Sequence, residues 1–346
     1  MSVVLTILVS VFLFGVIIFV HELGHFITAK LSGITVKEFA LGMGPVIFKK
    51  IKNNTQYALR LFPIGGFVSM VGEDEESDEE GSFGKAPVGN RILVVVSGAI
   101  MNLVLGFLIV VGLTTFSKGD LITTSTIAEF KAGAVTKASG LREGDTIVSI
   151  NGRNMFVAND IIYELTRVKG NEAEVTVERD GEKVKLEAVE FDIKEGKDGI
   201  NEINIDFYMY GREKTVFNVI KESGLWTLSI TRLVFVSLFD LITGNVPINQ
   251  LSGPIGIVQL IGEAVSVDFY AVFYLAAIIT INLGVMNILP LPALDGGRFV
   301  ILLIEAITKR RLNPKYEGYI HLVGFVLLIA LMLFVTYNDI SKIFSR

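Results

Sequence analysis

Four runs of the chain are apolar over a length that can cross a bilayer. They are Val3–Leu31, Ile92–Phe116, Phe269–Leu294 and Ile320–Tyr337. A helix rises about 1.5 Å per residue and a hydrocarbon core is about 30 Å thick, so each run is long enough to span. The pattern predicts a polytopic α-helical membrane protein with four transmembrane helices. The first run has no basic leader and no small-residue cleavage site, so it reads as a span rather than a signal peptide.

The segments between the runs differ in character. Tyr57–Gly72 (YALRLFPIGGFVSMVG) reads as two short strands about a Pro-Ile-Gly-Gly turn. It is either a surface hairpin or one that dips into the protein-lined membrane interior. The second is the expectation taken here: a membrane-embedded β-hairpin whose edge can pair with an extended peptide. The acidic block Glu73–Glu80 reads as a solvated loop. Residues 118–190 mix charges with strand-like alternation. Gly140–Gly152 (GLREGDTIVSING) reads as turn, strand and Asn-Gly turn, and Ala173–Val189 as a hairpin about Asp180-Gly181. Ala158–Val168 has helical character between them. This order resembles a PDZ domain of the bacterial protease type, an α+β unit in which the phrase SGLREGDTIVSING recurs in similar form.

Val216–Leu241 is apolar but carries Lys221 and Arg232 roughly 20° apart on one helix face. That predicts an interfacial amphipathic helix rather than a fifth span. The division expected is an N-terminal membrane part (1–116), the PDZ-like domain (118–190), a post-PDZ segment (191–268) and a C-terminal membrane part (269–346). Arg298, Lys309, Arg310, Arg311 and Lys315 crowd the last short loop and mark the cytoplasmic side. Counting four spans from there puts the 32–91 loop inside and the PDZ-like domain outside, in a bacterial cytoplasmic membrane.

Composition narrows the chemistry. Of 346 residues 51% are hydrophobic, and the net charge of −5 offers no general basis for nucleic-acid binding. With no cysteine there is no disulfide and no thiolate metal site; with three histidines, at 21, 25 and 321, the search for imidazole ligands is short.

Two of them stand in HELGH, His21–His25, inside the first span. Histidines at i and i+4 share a helix face and can bind one Zn2+, with Glu22 placed to act on the metal's water. Ionisable groups are costly in a span and are usually functional there. The first choice for the third ligand is Asp295, which follows two prolines at the cytoplasmic end of the third run, at the depth of HELGH. His321, at the start of the fourth run, is the rival. Asn287 is a candidate to bind substrate backbone or oxyanion.

HELGH, the PDZ-like region and NILPLPALDGG (Asn287–Gly297) together resemble the site-2 protease family of intramembrane zinc metalloproteases, peptidase family M50B, in its bacterial RseP/RasP-like branch. The resemblance covers nearly the whole chain and includes ALGMGPVIF (Ala40–Phe48) and LSGPIGI (Leu251–Ile257). SGAIMN (Ser97–Asn102) departs from the Ala-Gly-Pro that relatives typically carry before the Asn. The resemblance implies metal ligands at His21, His25 and Asp295, a catalytic Glu22, and a role for Asn287. It also implies single-span substrates, such as trimmed anti-sigma factors or remnant signal peptides, cut in regulated intramembrane proteolysis. Two other readings use the same residues: a zinc transporter or sensor, and a non-catalytic PDZ scaffold in the membrane.

Overall fold

The computed structural model describes residues 3–73, 75, 77–195, 201–244, 252–311 and 314–344. Asp74 and Glu76 of the acidic block and Leu251 of LSGPIGI lie outside them. In chain order the elements are α1 (Val3–Leu31), β1 (Val36–Lys52), β2 (Thr55–Met70), α2 (Val88–Phe116), β3 (Leu121–Phe130), α3 (Val135–Ala138), β4 (Thr146–Ile150), β5 (Arg153–Asn154) and α4 (Ala158–Leu165). There follow β6 (Glu172–Arg179), β7 (Glu182–Glu190), β8 (Asp192–Glu195), β9 (Asn201–Asn204), β10 (Phe207–Glu213), α5 (Val216–Ile242), α6 (Pro254–Val267), α7 (Phe269–Ile288), α8 (Asp295–Thr308) and α9 (Pro314–Phe344). The chain divides into two compact units, residues 1–109 with 234–346, and residues 110–233.

Five helices are long and apolar enough to cross a membrane by length and composition, namely α1, α2, α5, α7 and most of α9. With the β-sheets described below, this is the architecture of a polytopic membrane protein. Many large apolar side chains on these helices are exposed, among them Leu8, Phe12, Leu108, Phe273 and Val326. Continuous apolar surface of that extent is stable only against lipid or a partner. The third apolar run breaks where its prolines require: α7 ends at Ile288, and Pro290 and Pro292 occupy the link to α8. The helices α6 and α8 are additions to the elements expected from the pattern: the stretch read as a short basic loop is mostly helical, with Arg298 in α8, Lys315 in α9 and Lys309–Arg311 between them.

In the first unit, α1 carries a small sheet on its C-terminal half. The β1–β2 pairing is antiparallel, and its turn is Asn53–Asn54, both in the left-handed region (φ 51° and 59°). Tyr57–Gly72 is therefore not a hairpin about Pro63–Gly66. Almost all of it belongs to β2, and its two halves lie on opposite sides of residues 38–41, which pair with 56–59 on one side and 66–69 on the other. The physical reason is the Asn-Asn pair, which tolerates positive φ and makes a tight turn inside the polar run KKIKNNTQ that conceals a strand. Phe26 of α1 meets Phe39 and Tyr57 of the sheet at centroid distances of 5.2 and 5.9 Å. Buried Val36, Val68 and Val94 close the core around them.

The second unit holds a sheet of order β10-β3-β4-β6-β7, with β5 paired to β4. The Asp180-Gly181 turn joins β6 to β7 as the pattern predicts, with Arg179 opposite Glu182. Asn151-Gly152 similarly joins β4 to β5. The sheet continues past residue 190 to include β10, whose edge pairs antiparallel with β3. Buried Ile127, Ile147, Ile161 and Val175 form the core under α4. Asp145 of the GLREGD stretch is buried and takes two bonds of 2.8 Å from Arg179. That pairing raises the guanidinium further above its usual pKa.

The first two-thirds of α5 is tied to this same unit. Lys214, just before it, donates to the carbonyls of Ser117 and Gly119 at 2.7 and 2.6 Å. Further along, Ser229 donates to Asp160 of α4, and Arg232 lies 3.6 Å from both Asp160 and Glu164. The Arg232 guanidinium also covers the Phe156 ring at 5.2 Å.

Candidate metal centre

HELGH lies in the sixth and seventh turns of α1, so His21 and His25 project one above the other from one face. Asp295 is the first residue of α8, directly after the Pro-containing link. Two glycines let that link fold back on itself. A Cβ at Gly296 would strike the carbonyls of Ile288 and Leu289, and one at Gly297 would strike that of Leu291. Ala293 in the link has a left-handed φ of 71°. The helix N-terminus favours a carboxylate, and the tight link points it toward α1.

The result is a triangle of atoms. His21 Nε2 lies 3.2 Å from Asp295 Oδ2, His25 Nε2 lies 3.3 Å from the same oxygen, and the two nitrogens are 3.3 Å apart. Among the described residues this is the group of metal-ligating side chains close enough to share one ion. His25 Nδ1 donates to the Val94 carbonyl at 2.8 Å, so its Nε2 faces the triangle with a lone pair. Asp295 Oδ2 is buried with no hydrogen-bond donor. If His21 likewise turns a lone pair inward, three acceptors face one another and repel unless a cation joins them. Ligands held at about 2.0–2.1 Å in a tetrahedron stand about 3.3–3.4 Å apart, which is the size of this triangle. The residues fit zinc.

The surrounding polar groups are few. Glu22 lies within Coulomb range of His21, His25 and Asp295, next to strand residue Gly66, where a Cβ would come 3.0 Å from Glu22 Cγ. Asn287 Nδ2 is 3.5 Å from His21 Nε2, at the rim of the triangle. Asn102 Nδ2 is 3.4 Å from His21 Nδ1 on the opposite side of the ring. His321 does not enter the cluster. Its Nδ1 instead accepts from the Ala293 amide at 3.1 Å.

Thus the structure brings together His21, His25, Asp295 and Asn287, with Glu22 at the sheet. Sequence reasoning did not assign Val94, Gly98 or Asn102, spaced by four on α2, to the two imidazoles. The available signal was their four-residue spacing along one helix face, running into the glycine-containing SGAIMN stretch.

The model of peptidase family M50 matches residues 9–331. A Bacillus subtilis protein named regulator of sigma-W protease RasP is 30% identical over 422 residues, covering 98% of this chain and 99% of that one. Zinc metalloprotease RasP of Shouchella clausii is 29% identical over 426 residues, covering 98% and 100%. A Clostridium perfringens protein is 37% identical over 334 residues, covering 94% and 96%.

Proposed function

The chain belongs to peptidase family M50, and from that premise we propose that it is a zinc metalloendopeptidase that cuts peptide bonds within the membrane. The observation that carries this reading is the triangle of His21, His25 and Asp295 with Glu22 beside it. These three would hold the ion. Zinc, when bound, supplies a Lewis acid that polarises the scissile carbonyl and acidifies water. Glu22 accepts the proton from the attacking water and delivers it to the departing amide nitrogen. Asn287, at the rim, donates to the substrate carbonyl where negative charge develops.

A helical substrate hides its amides, so the scissile segment must be extended. Residues 66–69 pair with β1 on one side and have no second strand partner among the described residues. That edge, next to Glu22, suits addition of a substrate strand. An apolar cavity of about 330 Å³ lies between α1 and the sheet, lined by Phe12, Gly15, Ile18, Phe19, Leu41 and Pro63. Such a lining fits the side chains of an apolar, membrane-derived peptide.

The substrates proposed are single-span proteins already trimmed outside, of the anti-sigma-factor or remnant-signal-peptide type. The sigma-W regulator's name supports this class by kinship. In this reading the protein is in the bacterial cytoplasmic membrane, with four spans, the metal centre toward the cytoplasm and residues 118–190 forming an extracytoplasmic PDZ-type domain. The ties of Lys214 and Arg232 to one folded unit support α5 as an interfacial helix, since a span would carry Arg232 about 24 Å away from residue 216 across the bilayer.

The decisive experiment is Glu22→Gln in purified protein with a model membrane peptide. Zinc should remain at one per chain while cleavage falls by about 10²–10⁴-fold. Cleavage at the wild-type rate would refute the role given to Glu22.

A further inference from the structure

Val94, Gly98 and Asn102 are spaced by four and form one stripe of α2, facing the two imidazoles. Each does something different there. The Val94 carbonyl takes the Nδ1 proton of His25. Gly98 provides room: a Cβ there would fall on His25 Nε2 and stand 2.8 Å from His21 Cε1. Asn102 is fully buried, with its amide against His21 Nδ1 and its Oδ1 lacking any partner.

Proton bookkeeping decides what that amide must do. A neutral imidazole carries one N–H. If His21 Nε2 faces the metal with its lone pair, Nδ1 carries the proton and needs an acceptor. An amide nitrogen pointed at that N–H would set donor against donor. A half-turn of the amide instead places Oδ1 on the Nδ1 proton, and it satisfies the buried oxygen at the same time. The Asn102 backbone is fixed by its own helix and by Thr280, which donates to the Asn102 carbonyl at 3.2 Å. Only the side chain need turn.

We infer that Asn102 is a positioning residue that fixes the tautomer of His21 by accepting its Nδ1 proton through Oδ1. α2 then acts as a rail carrying one acceptor per imidazole, a main-chain carbonyl for His25 and a side-chain amide for His21. Outer partners of this kind orient ligands and strengthen them as bases. The inference rests on the metal reading above.

The test uses full-length protein in detergent, stripped by chelator and titrated with Zn2+ against a competing dye. Wild type should bind one zinc, and Asp295→Ala should lose it. If these fail, the metal reading falls and this inference with it. Given that baseline, Asn102→Leu should weaken zinc about 10–100-fold, while Asn102→Asp, which retains only acceptors, should hold or exceed wild-type affinity. A wild-type affinity in Asn102→Leu, or an equal loss in both variants, overturns the role of Asn102 alone. A second readout does not depend on the variants' folding. The chain has three histidines, so ¹⁵N-histidine spectra of the zinc-loaded wild type should show His21 protonated at Nδ1. Protonation at Nε2 overturns the inference.

Discussion

Around the triangle single atoms decide whether an ion can be held. Gly98 gives the sharpest case. Alanine is the better helix former by about 1 kcal/mol, so Gly98→Ala would stiffen α2 if space allowed. Space does not allow it, because the methyl would occupy the ring positions of His21 and His25. Gly98→Ala is expected to lose at least about tenfold in zinc affinity, comparable to removing an outer partner, with no loss of helix by circular dichroism. His321 makes a second case at this scale. Its Nδ1 holds the amide of Ala293, whose left-handed φ costs about 1–3 kcal/mol. His321→Leu should therefore loosen the turn before Asp295 and weaken zinc binding. Ala293→Gly, which relieves the strain, should restore part of it in the double variant. Full zinc affinity in His321→Leu would show that Gly296 and Gly297 suffice to hold the turn.

Among the elements, α8 needs an anchor because it starts at the proposed ligand Asp295 and is only 14 residues long. Arg91 of α2 supplies one, meeting Glu305 through two bonds of 2.9 and 2.6 Å with both side chains largely buried. Arg298 adds contacts to Glu73, after β2, and to Glu317 of α9. Removing one member of a buried pair strands the other charge. Arg91→Ala is thus expected to destabilise by about 3–5 kcal/mol. Arg91→Lys should fall between, since an ammonium cannot match the two-pronged geometry. Thermal unfolding in detergent measures both. The sheet and the link around the site were only partly legible in the chain. Pro290 and Pro292 announced the break before Asp295, because proline cannot continue a helix. The Asn53–Asn54 turn stayed hidden, because its strand residues are interleaved with lysines and read as a polar loop.

For the whole molecule the open quantity is the number of crossings. Length and composition admit α5 as well as the other four, whereas the short-loop charges favour four spans. The absence of cysteine makes the count directly measurable. Single cysteines at Glu143, Lys214, Thr243 and Lys309 can be labelled in intact and then permeabilised cells. Four spans require the first three to react from outside and the last only after permeabilisation. Thr243 reacting only from inside would make α5 a fifth span.

The sequence by itself determined the apolar helices, the HELGH pair and the irregular turn carrying Asp295. These depend on local rules: run length against bilayer thickness, the 3.6-residue period, and what proline forbids. It also contained the Asp180-Gly181 and Asn151-Gly152 turns, for the same local reason. Tertiary structure alone decided which surfaces meet. It set residues 38–41 between two stretches of β2, excluded His321 from the triangle in favour of Ala293, and brought Val94 and Asn102 to the far sides of the two imidazoles. Those contacts join residues 18 to 81 positions apart, and no period or propensity in one stretch encodes the position of another.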